Sequence, residues 1–322
     1  MKRYLPYLLF IAALAITPFL DRFVQSLVYN FAIAAMAALA VNIMIGFAGQ
    51  ITFAAGALIG VGAYAGGLLG NAGLDVVSLL GAGLVTAAIS VFIGLPALRL
   101  RGLYFAMSTL AAQFILEYLF KNVDPVTNGL SGLLIEPPKF FGIAIDTEFR
   151  TAIAALILLL LVWLACRNLT QSQLGRAFLV MRESEIVAKG MGINVPQTKF
   201  WCFALTGFLM GIAGAMLGFS THIANPEAFG ISLSVDYVAM MIIGGLGSLT
   251  GSLIGAAFIT LMPEIIQRIG EHLHLGSRIF AVREIIFGAL IMLFLIFEPR
   301  GIVALFSSLK GNNQTPGAST AK

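Results

Sequence analysis

Charged side chains are scarce in this chain: Asp, Glu, Lys and Arg make up 11% of its 322 residues, while 59% are hydrophobic. A soluble domain carries about 25% charged residues, so this composition excludes an ordinary globular surface facing water. Cysteine is almost absent. The two present, Cys166 and Cys202, sit near the ends of apolar runs, which predicts no disulfide and offers no metal-ligand spacing. Of the three histidines, His272 and His274 are spaced i, i+2 and point to different sides of a helix, so they read with His222 as loop or interfacial residues. No lysine is followed by Ser or Thr, which excludes the Gly-x-x-x-x-Gly-Lys-Ser/Thr loop that cradles nucleotide phosphates. The 19 basic residues outnumber the 15 acidic ones but are dispersed, which is not the pattern of a nucleic-acid surface. An enzyme needs a cluster of ionisable groups and none is visible. No cofactor is expected.

What the chain has instead is long apolar runs near the ~20 residues that cross a bilayer as a helix. They fall at roughly 4–20, 24–45, 51–70, 75–97, 102–120, 150–166, 198–220 and 279–298. Continuous runs exclude a porin-like barrel, whose strands alternate in ~10-residue segments. The fold class is therefore all-α, a polytopic transmembrane bundle. Lys2 and Arg3 before an apolar stretch, with Ala13-Leu14-Ala15 after them, imitate a secretory leader. The apolar stretch continues to Leu20, so a retained first helix is the better reading.

Region 234–266 is too long for one ordinary span and too short for two full ones. Its centre, Gly244-Gly-Leu-Gly-Ser-Leu-Thr-Gly251, is a poor helix interior, since glycine costs ~1 kcal/mol relative to alanine. Two short helices joined by a glycine turn are expected, giving about ten membrane segments; a single span, giving nine, is the alternative. Irregular backbone at membrane depth needs protein or a water-filled cavity around it, so Gly244, Gly245 and Gly247 are candidates for a pathway. Gly46-Phe-Ala-Gly49 followed by Leu58-Ile-Gly60 faintly echoes Gly244-Gly-Leu-Gly247 followed by Leu253-Ile-Gly255. Glycine-interrupted segments repeated in two halves point to a transport path. That adds Gly46, Gly49, Gln50 and Thr52 as candidates.

Residues 1–310 read as one membrane domain and the polar 311–322 as a disordered tail. Placing the N-terminus inside puts Arg99 and Arg101 inside too, the acid-rich loop 121–149 outside, and the island 167–199 inside, as the positive-inside bias requires. The C-terminus then also lies inside. The island carries Arg167, Arg176, Arg182, Lys189 and Lys199 against Glu183 and Glu185. Glu183 to Gly190 is expected to form a helix of about two turns, roughly 12 Å long, with Gly190 and Gly192 ending it and Pro196 preventing continuation. Such a helix suits docking by a soluble partner, though an ordinary solvated loop helix has the same charges.

Inside the membrane the sequence is short of charge. Glu117, Asp236, Glu264, Arg283 and Glu284 all fall toward expected helix ends, and the middle offers Asn42, Gln50, Thr52 and Gln113. These neutral groups read as interhelical hydrogen bonds, as do Ser108 and Thr109, or as lining of a path. An uncharged path suits a solute moved by conformational change rather than by a coupled ion.

Ordered blocks then carry a family resemblance. They are Gly46-Phe-Ala-Gly-Gln-Ile-Thr-Phe with Gly60-Val-Gly-Ala-Tyr64, Leu98-Arg-Leu-Arg-Gly-Leu-Tyr-Phe-Ala-Met-Ser-Thr-Leu110, and Thr127-Asn-Gly-Leu-Ser-Gly132. Gly175-Arg through Arg182-Glu-Ser-Glu, Gly192-Ile-Asn and Lys199 to Gly211-Ile-Ala-Gly-Ala215 follow, then the turn 244–255 and Glu298-Pro-Arg-Gly301. The chain resembles the LivM-type permease subunits of bacterial branched-chain amino-acid ABC transporters. The resemblance implies a type II importer-like permease in the inner membrane, working with a second homologous permease, two ATP-binding cassette subunits and a periplasmic binding protein. It makes Arg182, Glu183, Ser184, Glu185, Ala188 and Gly192 the coupling helix to an ATPase. Asp124, Thr127, Asn128 and Glu136 become candidate contacts for the binding protein. Thr127-Asn128 departs from the more usual Thr-Gly-Gly of that family. Leucine, isoleucine and valine are the implied solutes; urea, short amides and other amino acids are carried by related permeases. A stand-alone carrier or channel is the competing class.

Overall fold

The structure is a computed structural model that describes residues 16–97, 100, 102–140, 143–144 and 146–272, with isolated positions at 10, 285, 288, 289 and 292. The expected spans 4–20 and 279–298, Arg283, Glu284 and the tail 311–322 fall largely or wholly outside the described residues. Within them the helices are α1 (Arg22–Asn42), α2 (Ala55–Asn71), α3 (Asp75–Ala97), α4 (Leu103–Asn122) and α5 (Glu148–Gln171). They continue as α6 (Gln173–Glu183), α7 (Glu185–Gly190), α8 (Val195–Thr221), α9 (Ile231–Gly244) and α10 (Leu249–His272). Among the described residues, six stretches are long and apolar enough to cross a membrane: 22–47, 77–96, 103–122, 148–171, 195–221 and 249–268. The chain is a polytopic helical bundle.

α8 runs through the middle, packed on α2 and α3, while α1 packs on α5 and α10. Apolar burial does not hold helices together in lipid; close packing and interhelical hydrogen bonds do. Small residues make the approach possible. A methyl on Gly62 would lie 2.5 Å from the Gly211 carbonyl oxygen, so α2 and α8 touch backbone to backbone. Nearby, Ser90 of α3 donates to the Phe203 carbonyl at 2.9 Å.

The region 231–272 is two helices with a glycine turn between them, Gly245 having φ 119° and Gly247 φ 77°. The span expected from 51 begins later, at Ala55. α1 runs on into a π-helical turn, Ile43–Phe47, with Ala48 N donating to Ile43 O at 3.0 Å and Gln50 N to Met44 O at 2.9 Å. Gly49, at φ 70°, then turns the chain out of the helix, and residues 48–54 stay irregular. The island likewise differs from the single helix expected over Glu183–Gly190. Ser184 is extended (φ −164°, ψ 121°), and its Oγ accepts from Val187 N at 3.4 Å. It caps α7 and separates it from α6, to which Glu183 belongs.

The loop after α4 folds back on the turn after α8. β1 (Leu133–Leu134) pairs antiparallel with β4 (Ile223–Ala224), Leu133 opposite Ala224, and a small hairpin joins β2 (Lys139–Phe140) to β3 (Ile143–Ala144). Asn71 at the end of α2 ties in by donating to Leu134 O at 2.8 Å. This end of the bundle lies a helix length away from the end formed by 46–49, 172–194 and 245–248.

Candidate functional site

Two glycine turns, one from each half of the sequence, meet at the second of these ends. Asn42, wholly buried in the last turn of α1, accepts from Gly247 N at 2.9 Å through Oδ1. Its Nδ2 donates to Ser248 O at 2.9 Å and Ser252 Oγ at 2.7 Å. Arg182, the penultimate residue of α6, donates from Nη1 to Gly46 O at 2.6 Å. A methyl on Gly247 would lie 3.1 Å from that same Nη1, and one on Gly49 would lie 3.1 Å from Arg182 Cα. Gly46, Gly49, Gly247 and Arg182 thus form one junction. Gly244 is used differently, in the crossing of α9 and α10: a methyl on Gly251 would come 2.6 Å from its carbonyl oxygen. Gly245 ends α9.

The elbow α6–α7 is held from inside. Glu185 at the start of α7 pairs with Lys199 of α8 at 2.7 Å, with the lysine side chain 1% exposed. Lys199 also reaches the Leu100 carbonyl at 3.3 Å. Ala188 is buried beneath the helix. Of the residues expected on the coupling helix, Arg182 and Glu185 therefore anchor it, Ser184 caps it, and Gly192, at φ 80°, turns the chain away. Glu183 is exposed. The outward surface is made by side chains that the charge pattern concealed: Ile186 is 74% exposed, Val187 54% and Met191 68%. Apolar exposure on a helix in water was the available signal.

The irregular segment 48–54 and the first turn of α2 are tied to α4 by hydrogen bonds. Phe53 N donates to Thr109 Oγ1 at 3.2 Å and Ala57 N to Gln113 Oε1 at 2.8 Å. Thr109 and Gln113 lie about 9 and 15 Å along α4 at 1.5 Å per residue, so α2 begins near the middle of the membrane. Gly56 N donates to Ser234 Oγ at 2.7 Å, Ser234 Oγ donates on to Gln113 Oε1 at 3.1 Å, and Gln113 Nε2 donates to Phe229 O at 2.8 Å. Gln113 and Asn42 are interhelical hydrogen-bonding groups. Gln50 and Thr52 serve the break locally: Gln50 Nε2 reaches Ala48 O at 3.4 Å, and Thr52 Oγ1 accepts from Ala54 N at 3.2 Å.

The same ruler moves one charged residue. Asp236, expected toward a helix end, lies in the first half of α9, two residues after Ser234, but that helix starts level with Gln113. Its carboxylate lies at mid-depth.

At the opposite end the four candidate outer-loop residues divide by role. Thr127 is buried, its Oγ1 donating to Val123 O at 2.8 Å. Asn128 adopts φ 59° and donates to Gly132 O at 3.1 Å. That left-handed conformation explains the departure from glycine, because asparagine tolerates it best among residues with a side chain. Asp124 and Glu136 are exposed, and Glu136 N donates to Asn71 Oδ1 at 2.9 Å.

Helices of spanning length, joined by irregular turns and a tethered elbow at one end, define a multi-pass membrane protein. The family model for the permease component of branched-chain amino acid transport systems matches residues 23–295. The chain belongs to that family. It is 28% identical to the high-affinity branched-chain amino acid transport system permease protein LivM of Salmonella typhimurium, over 83% of this chain and 67% of the relative. It is 27% identical to the LivM protein of Escherichia coli with the same coverage. A ribose import permease, RbsC of Haemophilus influenzae, is 26% identical over 46% of this chain and 47% of the relative.

Proposed function

We propose that this chain is one of two permease subunits of an ATP-driven importer of leucine, isoleucine and valine in a bacterial inner membrane. ATP-binding cassette subunits supply the energy and a periplasmic binding protein delivers the solute. Both termini and the elbow α6–α7 face the cytoplasm, and the loop 121–149 faces the periplasm. The supporting observation is the elbow's two-sidedness. Arg182 and Glu185 tie it to the 46–49 turn and to α8, while Ile186, Val187 and Met191 are left for a partner. A push on α7 is then transmitted to α8 through the Glu185–Lys199 pair and to α1 through Arg182. Coupling of this kind needs a discrete element that both sites bias.

The test separates the two faces. Ile186→Glu should abolish co-purification of the ATPase subunits. Arg182→Ala should leave the complex assembled but lower solute-stimulated ATP turnover. Accumulation of leucine by the purified chain alone in vesicles would overturn the reading in favour of a stand-alone carrier. The similarity to a ribose permease makes ribose the control solute, and ribose uptake without leucine uptake would reassign the substrate. Urea and short amides are tested in the same assay.

A further inference from the structure

Asp236 is the residue that the fold leaves unexplained. It lies in α9, two residues after Ser234, whose hydroxyl bonds Gln113 halfway along α4. The side chain is partly exposed, and among the described residues no hydrogen bond or ion pair holds it. At 100° per residue, Asp236 points about 200° round the helix from Ser234, away from α2 and α4. Ser232 is one turn back on the same side, i to i+4, and is also exposed. Val235 beside them is 47% exposed. Asp236 therefore stands on a face of α9 that the described residues leave open, with a hydroxyl one turn away.

A carboxylate at bilayer depth costs several kcal/mol unless a cation or water meets it. Within the protein the usual answer is an arginine or lysine, and none of the described residues supplies one. Lys121 is paired with Glu117 and Lys199 with Glu185; Arg182 serves Gly46. A solute that carries a cation would meet this carboxylate as it passes. A sugar or urea carries none at neutral pH, whereas every free amino acid carries a protonated amino group.

We propose that Asp236 is the contact for the ammonium group of an amino acid as it crosses between the permease subunits, with Ser232 as a polar neighbour. The inference rests on the importer reading above and narrows its solute to ammonium-bearing molecules. A charge-assisted hydrogen bond is roughly twice as strong as a neutral one, so its loss is readable in transport.

The experiment uses the complete transporter, with its second permease, ATPase subunits and binding protein. Asp236→Asn keeps the shape and removes the charge; leucine uptake should fall at least about tenfold, the factor that 1.4 kcal/mol represents. Assembly should stay at the wild-type level, and Asp236→Glu should recover part of the uptake. Unchanged uptake by Asp236→Asn overturns the proposal while leaving the importer reading intact. A wild-type complex that moves ribose or urea but no amino acid sinks the importer reading itself. Should Asp236→Asn fail to assemble, Asp236→Cys decides. In vesicles it should react with a water-borne methanethiosulfonate reagent, and leucine in transport buffer should slow that reaction several-fold. A thiol that never reacts, or reacts at a rate indifferent to leucine, overturns the proposal.

Discussion

At Asn42 one carboxamide holds three partners from the glycine turn and α10 at 2.7–2.9 Å. Interhelical hydrogen bonds in membranes average about 0.6 kcal/mol, so Asn42→Ala should destabilise the protein by roughly 2 kcal/mol. Lys199 is the harsher case. Its removal takes the 2.7 Å ion pair away from Glu185, whose carboxylate is only 14% exposed. Breaking a buried pair from one side costs about 3–5 kcal/mol, and the partial exposure puts Lys199→Ala near 3. Removing both members of the pair avoids breaking it from one side, so Lys199→Ala/Glu185→Ala should be more stable than Lys199→Ala alone. Thermal unfolding of the purified complex ranks all three, and a double variant less stable than the single one would refute the buried-pair account. Asn128 gives the gentle counterpart. With φ 59° already in the left-handed region, Asn128→Gly should shift stability by a few tenths of a kcal/mol. Asn128→Ala should lose about 1–2.

The elements show where the sequence speaks clearly and where it does not. The span expected at 75–97 is α3 to the residue, and the glycine turn expected within 234–266 joins α9 to α10; α9 is short as expected, but α10, at 24 residues, is of spanning length. The late start of α2 was hidden. Residues 48–54 are as apolar as a helix, and what keeps them irregular is non-local: Thr109, Gln113 and Ser234 take the freed backbone donors. Asp236 lies toward the start of α9, as expected, but the level of that start is set by a hydrogen bond from another helix. The split of the elbow, by contrast, was written in the chain. Ser172, Ser184 and Asn194 each cap the helix that follows, and three such residues at helix-length intervals mark three starts. A cap is worth about 1 kcal/mol. Ser184→Ala should therefore fuse or fray α6–α7 with a modest loss of stability but a larger loss of solute-stimulated ATP turnover. Equal, small losses in both would mean that the bend between the two helices plays no part in coupling.

Taken whole, the molecule has two ends of different character, joined by helices about 30 Å long at 1.5 Å per residue. At one end, turns from the two halves of the sequence interlock with the elbow through Asn42 and Arg182; the echo between Gly46–Gly49 and Gly244–Gly247 is a contact in space as well as a likeness in sequence. At the other, Leu133–Leu134 and Ile223–Ala224 close a small ladder over the ends of α2 and α8. In the proposed importer, energy from ATP would enter at the end that faces the cytoplasm, so the sidedness of the elbow decides the mechanism. Cys166 and Cys202 are both fully buried, which leaves the native protein silent to impermeant thiol reagents. Glu136 and Lys189 are exposed, one at each end. In intact cells whose outer membrane has been made leaky, Glu136→Cys should be labelled at once. Lys189→Cys should stay unlabelled until the inner membrane is opened. The reverse pattern would set α7 in the periplasm, out of reach of any ATPase, and the push along Glu185 and Lys199 would have no source.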